Sequence, residues 1–525
     1  MEIRLIGWLR IMSLSRSRGE PYRSAEDWEV ALSTDDPLLL RSLGAHYGDA
    51  SGCLAAKRGL FLDLVREFAR RFGGERPLRI ARAPGRINLM GRHIDHRGGH
   101  VNVVAIDREI LVASAPRPDD LLVLANLDPR FEPRDISLPD LRVLRTQADE
   151  RDAARGDWSH YVRAVVVALE GHFDVRLHGL DLLVTGDIPV GKGLASSSAL
   201  VMALAELLVA ECGLDPPAEE LVQVVGDGEK LVGVQGGVGD HAAIKLSMPG
   251  FVSHVACLPT VVESRIALPS GVAIVVAHGG ETALKSAGAR DTFNQRVACS
   301  DIALELLRHH WPIACEAKHL RDLTEINLGL RAGAIYEGLE ALPAEPSRLD
   351  ILSLLPRSAH SRVESLFENH SDPGTYDLRG VTLFALGECE RSRLFPRRLE
   401  AEDLDGIGRL MKTSHDGDRL PGEPSDLDRL RAACPPLHGQ SGRYACSTEA
   451  IDRLVDIAVS TPGICGAQLA AAGLGGCIMA MAQDWAVDDL LERFRVEFYE
   501  PRGLEPTAFA VASVAGSGVI EWTGA

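Results

Sequence analysis

The residues of this chain that could do chemistry gather in three places. The first is Pro189-Val190-Gly191-Lys192-Gly193-Leu194-Ala195-Ser196-Ser197-Ser198-Ala199, between an apolar run at 179–188 that reads as a strand and an Ala/Leu/Val/Met/Glu run at 200–211 that reads as a helix. A glycine-rich turn feeding a helix start presents backbone N–H groups and the positive end of the helix dipole, a combination that suits a phosphate. The glycines let the main chain approach the anion, and three serines add hydroxyl donors. The same turn also reads as an ordinary helix N-cap. It is not a Walker A loop, because Gly193 follows Lys192 where that loop needs a Ser or Thr hydroxyl for magnesium.

The second place is Ala81-Arg82-Ala83-Pro84-Gly85-Arg86-Ile87-Asn88-Leu89-Met90-Gly91-Arg92-His93-Ile94-Asp95-His96-Arg97-Gly98-Gly99-His100. Its polar cluster reads either as a solvated loop with a local ion pair or as a set of groups for sugar hydroxyls, since Asp accepts two hydrogen bonds and His donates or accepts. The third is Asp240, after the glycine-rich turn 232–239 and downstream of Asp227 and Glu229. Taken alone, an Asp in that setting is an Asx-turn or a helix cap as readily as a base.

Composition narrows the classes of function. The chain has 525 residues, 46% hydrophobic, with a formal net charge of −18 and no long basic block, so more than one domain is expected and nucleic acid is an unsuitable partner. Ten cysteines are scattered without a C-x-x-C pair, which argues against a zinc site or a disulfide framework and for a reducing cytoplasm. No apolar run is long enough to span a bilayer, and Arg4 and Arg10 interrupt the apolar start, so no membrane partner is expected.

Together the motifs resemble those of the GHMP small-molecule kinases, the superfamily of galactokinase, homoserine kinase and mevalonate kinase. The first stretch is similar to their phosphate loop and the second to the galactokinase sugar signature. Gly466-Ala467-Gln468-Leu469-Ala470-Ala471-Ala472-Gly473-Leu474-Gly475-Gly476 is similar to their C-terminal glycine-rich motif, with Ala470 and Ala471 where galactokinases usually have Thr and Gly. The resemblance implies an α+β, two-domain GHMP kinase fold with the active site in the cleft between domains. The division expected is an N-terminal extension at 1–75, an ATP-binding domain at 76–270 and a C-terminal domain at 271–525, with an insertion at about 312–380.

The resemblance also assigns roles. Asp240 would be the catalytic base and Arg86 the catalytic cation. Pro189, Gly191, Lys192, Gly193, Leu194, Ala195, Ser196, Ser197 and Ser198 would hold ATP, and Ser197 with Glu229 would hold Mg²⁺. Arg92, His93, Asp95, His96 and Phe293 would contact the sugar. Arg92 stands where galactokinases have a glutamate, and His-Ile-Asp-His-x-Gly-Gly is similar to the galacturonokinase branch. Because a guanidinium grips a carboxylate bidentately, Arg92 is expected to face an anionic group on C6, such as a uronic acid; its alternative is pairing with an internal Asp or Glu. The activity implied is transfer of the γ-phosphate of ATP to the anomeric hydroxyl of galactose or a related sugar. Mevalonate or a heptose as acceptor, or a catalytically weak sugar and ATP sensor, are the alternatives.

The elements that must position these groups follow from periodicity. Apolar residues at helical spacing predict helices over 54–72, 158–172, 200–211, 218–231, 292–309, 383–398, 403–415, 448–460 and 488–495. A short strand is expected at 78–81, paired strands within 101–115, and further strands at 121–127, 177–188, 272–277 and 509–514. The segment 128–157 reads as a loop.

Overall fold

Two neighbouring strands carry most of the first sheet: β1 (Pro77–Met90) and β2 (His100–Pro116), which pair antiparallel. They belong to a computed structural model that describes residues 22–48, 51–144, 157–232, 236–281, 287–420 and 426–522. The strand expected at 78–81 therefore continues through Arg86 to Met90, and the run 101–115 is one long strand rather than a pair. The polar Asp107-Arg108 step that breaks its apolar run is a bulge: Pro84 faces Glu109, while Gly85 faces Ile106.

Beyond β2 lie β3 (Leu121–Asn126), β4 (Arg134–Ser137) and β5 (Leu180–Gly186), in the order β1-β2-β5-β3-β4; β3 and β5 run parallel. The segment read as a loop thus contains β4 and a short helix, Leu138–Leu144. The start of β2 also pairs with β6 (Phe251–Cys257), which pairs with β7 (Thr260–Ala267).

Both faces of this sheet are covered, because alternate residues along each strand are apolar on both sides. Ile80, Leu111 and Leu183 face α1 (Ala25–Thr34), α2 (Pro37–Tyr47) and α3 (Ser51–Phe72), whose Trp28, Leu43, Phe61 and Phe68 are buried there. Ala81, Val112 and Leu182 face the other way, onto α4 (Ser159–Phe173), α5 (Ser196–Glu211) and α6 (Ala218–Glu229). A short helix, α7 (Gly239–Leu246), follows.

The second sheet is antiparallel throughout: β8 (Val272–His278), β9 (Ile464–Leu469), β10 (Cys477–Gln483) and β11 (Ala508–Val511), in the order β9-β10-β8-β11. Between β8 and β9 run α8 (Ala287–His310), α9 (Leu378–Glu400), α10 (Leu404–Asp416) and α11 (Glu449–Val459). Helices within 312–380 pack with α8 and α9 in a core of their own. Ile274, Val276, Met479 and Met481 enter the same apolar core as α5, which joins the two sheets. Two last strands, β12 (Ser513–Val514) and β13 (Gly518–Val519), return to pair with β2 and β1. No helix among the described residues is long and apolar enough to cross a membrane.

Candidate active site

The turn between β5 and α5 has the backbone expected of an anion cradle. Gly191, Gly193 and Ala195 all adopt left-handed conformations, with φ of 71°, 83° and 62°. Ala195 is the N-cap of α5 and makes no side-chain cap, so the donors of the Ser196–Ser198 turn are not satisfied by a capping side chain. Leu194 is buried, and β1 lies directly against it: a Cβ on Gly85 would come within 2.9 Å of Leu194 O. The opposite side of the loop meets the second sheet, where a Cβ on Gly193 would lie 3.4 Å from the Ala471 methyl and 3.6 Å from Cys477 N. Burial first, and the Lys192 charge second, hold the His278 ring at the end of β8 down to about 4.

Arg86 and Asp240 meet at this turn. Arg86 Nε and Nη2 donate to Asp240 Oδ1 and Oδ2, each at 2.6 Å, and Arg86 Nη1 donates to Gly193 O at 2.8 Å. The guanidinium side chain is 6% exposed and the carboxylate 39%, so Asp240 is the member open to a ligand. One residue on, His241 Nε2 lies 2.9 Å from Glu229 Oε2, which also accepts from Ser198 Oγ at 2.9 Å. Oxygen donors of this kind fit magnesium, which is held through few protein ligands and keeps waters.

The sugar-signature segment runs alongside. Asp95 Oδ2 accepts from Gly239 N at 3.1 Å, and Asp95 Oδ1 lies 3.3 Å from His96 Nδ1. Burial opposes ionisation of Asp95, but its hydrogen bonds from His96 and Gly239 outweigh it and hold the carboxyl below its usual range. Burial, then the Arg97 charge, lower the His96 pKa, so this ring acts as a neutral donor. The approach needs glycine at 237, where a Cβ would stand 2.5 Å from Asp95 Oδ2 and 2.6 Å from His96 N. Gly233, another of the glycines of that turn, lies outside the described residues.

Arg92 is the correction. Its side chain is 1% exposed and its Nη2 donates to Ser414 Oγ at 3.0 Å and to Asp418 Oδ2 at 2.9 Å. The carboxylate expected from a ligand is supplied by the protein, because a guanidinium buried this deeply requires a fixed counter-charge. His93 is turned inward as well: it stacks on Tyr444 with ring centroids 4.0 Å apart, and its Nε2 lies 3.2 Å from Asp418 Oδ1. Phe293 is half-buried on α8.

Sequence reasoning missed the residues that hold this segment from behind. Glu388 on α9 accepts from Gly91 N at 2.9 Å and Arg92 N at 3.1 Å, and from Arg391 Nε at 2.7 Å. Asp418 sits in a stretch with no helical or strand pattern of its own, so no local signal marks it.

Residues 66–116 match the galactokinase galactose-binding signature, 160–247 the N-terminal domain of GHMP kinases and 397–500 their C-terminal region. The chain is 29% identical over 422 residues to the galactokinase of Chloroflexus aggregans, covering 80% of this chain and 88% of that one. It is 28% identical over 459 residues to the galactokinase of Bacillus subtilis, covering 87% and 98%. In fold it resembles the crystal structure of Lactococcus lactis galactokinase complexed with galactose, with a TM-score of 0.66 at 22% identity, covering 87% of this chain and 99% of that one.

Proposed function

We propose, for a chain that belongs to the GHMP kinase superfamily and is galactokinase-like, the activity of an ATP-dependent sugar 1-kinase. One observation carries the reading: the phosphate loop, the Asp240 helix and the sugar signature converge, with Arg86 bridging Asp240 and Gly193 O while Asp95 holds Gly239 N.

Asp240 accepts the proton of the anomeric hydroxyl as that oxygen attacks the γ-phosphorus and the bond to the β-phosphate oxygen breaks. Arg86 lies between this carboxylate and the loop, where its charge compensates the transferring phosphoryl group. The loop Pro189–Ser198 cradles the phosphates with main-chain N–H groups and hydroxyls. Ser197 and Glu229 are the residues that would hold magnesium, which supplies charge neutralisation on the phosphate oxygens when bound. Asp95 orients the sugar by accepting from its ring hydroxyls. His96 fixes Asp95, and His93 supports the segment through its stack on Tyr444.

With Arg92 neutralised by Asp418, the acceptor that fits is a neutral sugar, and galactose is the expected substrate. The described cysteines are all free, in keeping with a cytoplasmic enzyme. ADP release measured over a panel of galactose, galacturonate, glucose, mevalonate and a heptose tests the assignment. Galactose should give the highest kcat/KM; release indifferent to any sugar would overturn it.

A further inference from the structure

We infer that His100, His254 and Glu263 form a binding site for a divalent metal of the zinc class, separate from the phosphate-transfer centre and placed where the sugar-signature segment enters β2. The ligating atoms of the three side chains lie within 4.8 Å of one another. His100 Nε2 is 3.0 Å from Glu263 Oε1, and His254 Nε2 is 3.6 Å from Glu263 Oε2. Donors in a tetrahedron around zinc stand about 3.3 Å apart, as bond lengths near 2.0–2.2 Å require. Two imidazoles and a carboxylate are a donor set that zinc and its neighbours in the first transition row accept.

The backbone builds this cluster deliberately. His100 and Asn102 pair with Ala256 and His254 across β2 and β6, which puts the two histidines diagonally on one face; their rings stack with centroids 4.7 Å apart. On β7 the register shifts between His254 and Val255: His254 faces Ser264 and Val255 faces Val262, so Glu263 is the extra residue of a bulge. A bulge re-aims the side chain it carries, here toward the two rings.

The tautomer of His254 is the strongest argument. Its Nδ1 lies 2.9 Å from Asn102 Oδ1. Asn102 Nδ2 donates to Met90 O at 3.2 Å, Ser392 O at 2.9 Å and Ser392 Oγ at 3.0 Å, which fixes Oδ1 as the acceptor and puts the His254 proton on Nδ1. The Nε2 lone pair of the neutral ring therefore faces one oxygen of the Glu263 carboxylate, and His100 Nε2 meets the other. A shared cation converts the His254 contact from unfavourable to favourable. A ligating histidine whose other nitrogen is held by an outer partner is the usual arrangement at metal sites.

Glu263, with its side chain 48% exposed, leaves a route for the ion and room for a water at the fourth position. The Arg393 charge, on α9, acts on all three groups and opposes a cation; its Nη1 is engaged by Asn327 Oδ1 at 3.0 Å.

The test uses the full chain, stripped with EDTA and free of nucleotide, titrated with Co²⁺ and Zn²⁺. The expected result is one Co²⁺ per chain with visible d–d bands and no thiolate charge-transfer band, a Zn²⁺-dependent rise in Tm, and loss of both in His254→Gln and in Glu263→Gln. Glu263 is exposed, so its variant should fold normally. Asn102→Ala should weaken binding about 10–100-fold through the orientation of His254, and Arg393→Gln should tighten it. Wild-type protein that takes up no metal, or variants that keep the same Co²⁺ spectrum and stoichiometry, would overturn the assignment.

Discussion

Replacing Asp240 by Asn removes one charge while keeping the shape of the side chain. In the wild type this carboxylate takes two bonds of 2.6 Å from Arg86, and it is 39% exposed. The carboxylate end of the pair is open to solvent and Asn keeps an acceptor for the guanidinium, so the change costs about 1 kcal/mol of stability, a shift of roughly 1 °C in Tm for a chain of 525 residues. Loss of a general base, by contrast, slows a reaction about 10²–10⁴-fold, or roughly 3–5.5 kcal/mol of barrier. The two readouts should therefore separate: kcat for sugar-dependent ADP release falls by at least two orders of magnitude, while Tm and the KM for ATP change little. Coupled ADP-release kinetics and thermal melts on the same preparation measure both. An Asp240→Asn enzyme that keeps more than a tenth of wild-type kcat would refute the base assignment, and with it the direction of proton transfer.

Gly237→Ala should raise the KM for sugar tenfold or more and leave the KM for ATP unchanged, because its methyl would occupy space 2.5 Å from Asp95 Oδ2; steady-state kinetics with each substrate varied in turn decides this. Asp418→Asn should lower stability to urea by about 3–5 kcal/mol by stranding the buried Arg92 charge, with both partners nearly inaccessible in the wild type. The acid limb of stability should change with it. Burial opposes ionisation of Asp418, but His93 and Arg92 outweigh that and hold its carboxyl far below the usual range. The stability it contributes is complete above the unfolded carboxyl pKa of about 3.9 and fades as pH falls through the lower folded value. Urea midpoints of wild type and variant should therefore keep a constant gap from pH 7 to about pH 4 and draw together, without meeting, between about pH 4 and pH 2.5; curves that stay parallel to the acid end would count against the pairing.

The three motifs were legible because each is local: a turn, a helix start and the residues they expose lie within about ten positions. Helices with a plain apolar stripe, such as α3 and α11, were legible for the same reason. The extent of β1 was not, since Arg86 and Asn88 make its second half look like loop, and only pairing with β2 shows that a polar stretch is extended. The bulge at Asp107-Arg108 imitates a turn in sequence while leaving the strand continuous. Which of the two readings of Arg92 holds is not visible in any local pattern, because its partner lies 326 positions away. Types and spacing identified a guanidinium facing an anion, but not which molecule supplies that anion. The mixed α+β architecture followed from the alternation of strands and helices together with the family likeness.

The closing strands β12 and β13 have a consequence for biosynthesis. Arg82, in the middle of β1, donates through Nη1 to Ala515 O and Gly516 O, both at 3.0 Å, and Ile520 N bonds Ile80 O at 2.8 Å. A nascent chain that has emerged only as far as β7 lacks these seams and leaves Arg82 Nη1 without its two carbonyl acceptors. Translation must pass residue 520 before the earliest-made sheet can finish, so the two halves are obliged to mature together, and an expression clone of the first half alone should yield aggregate.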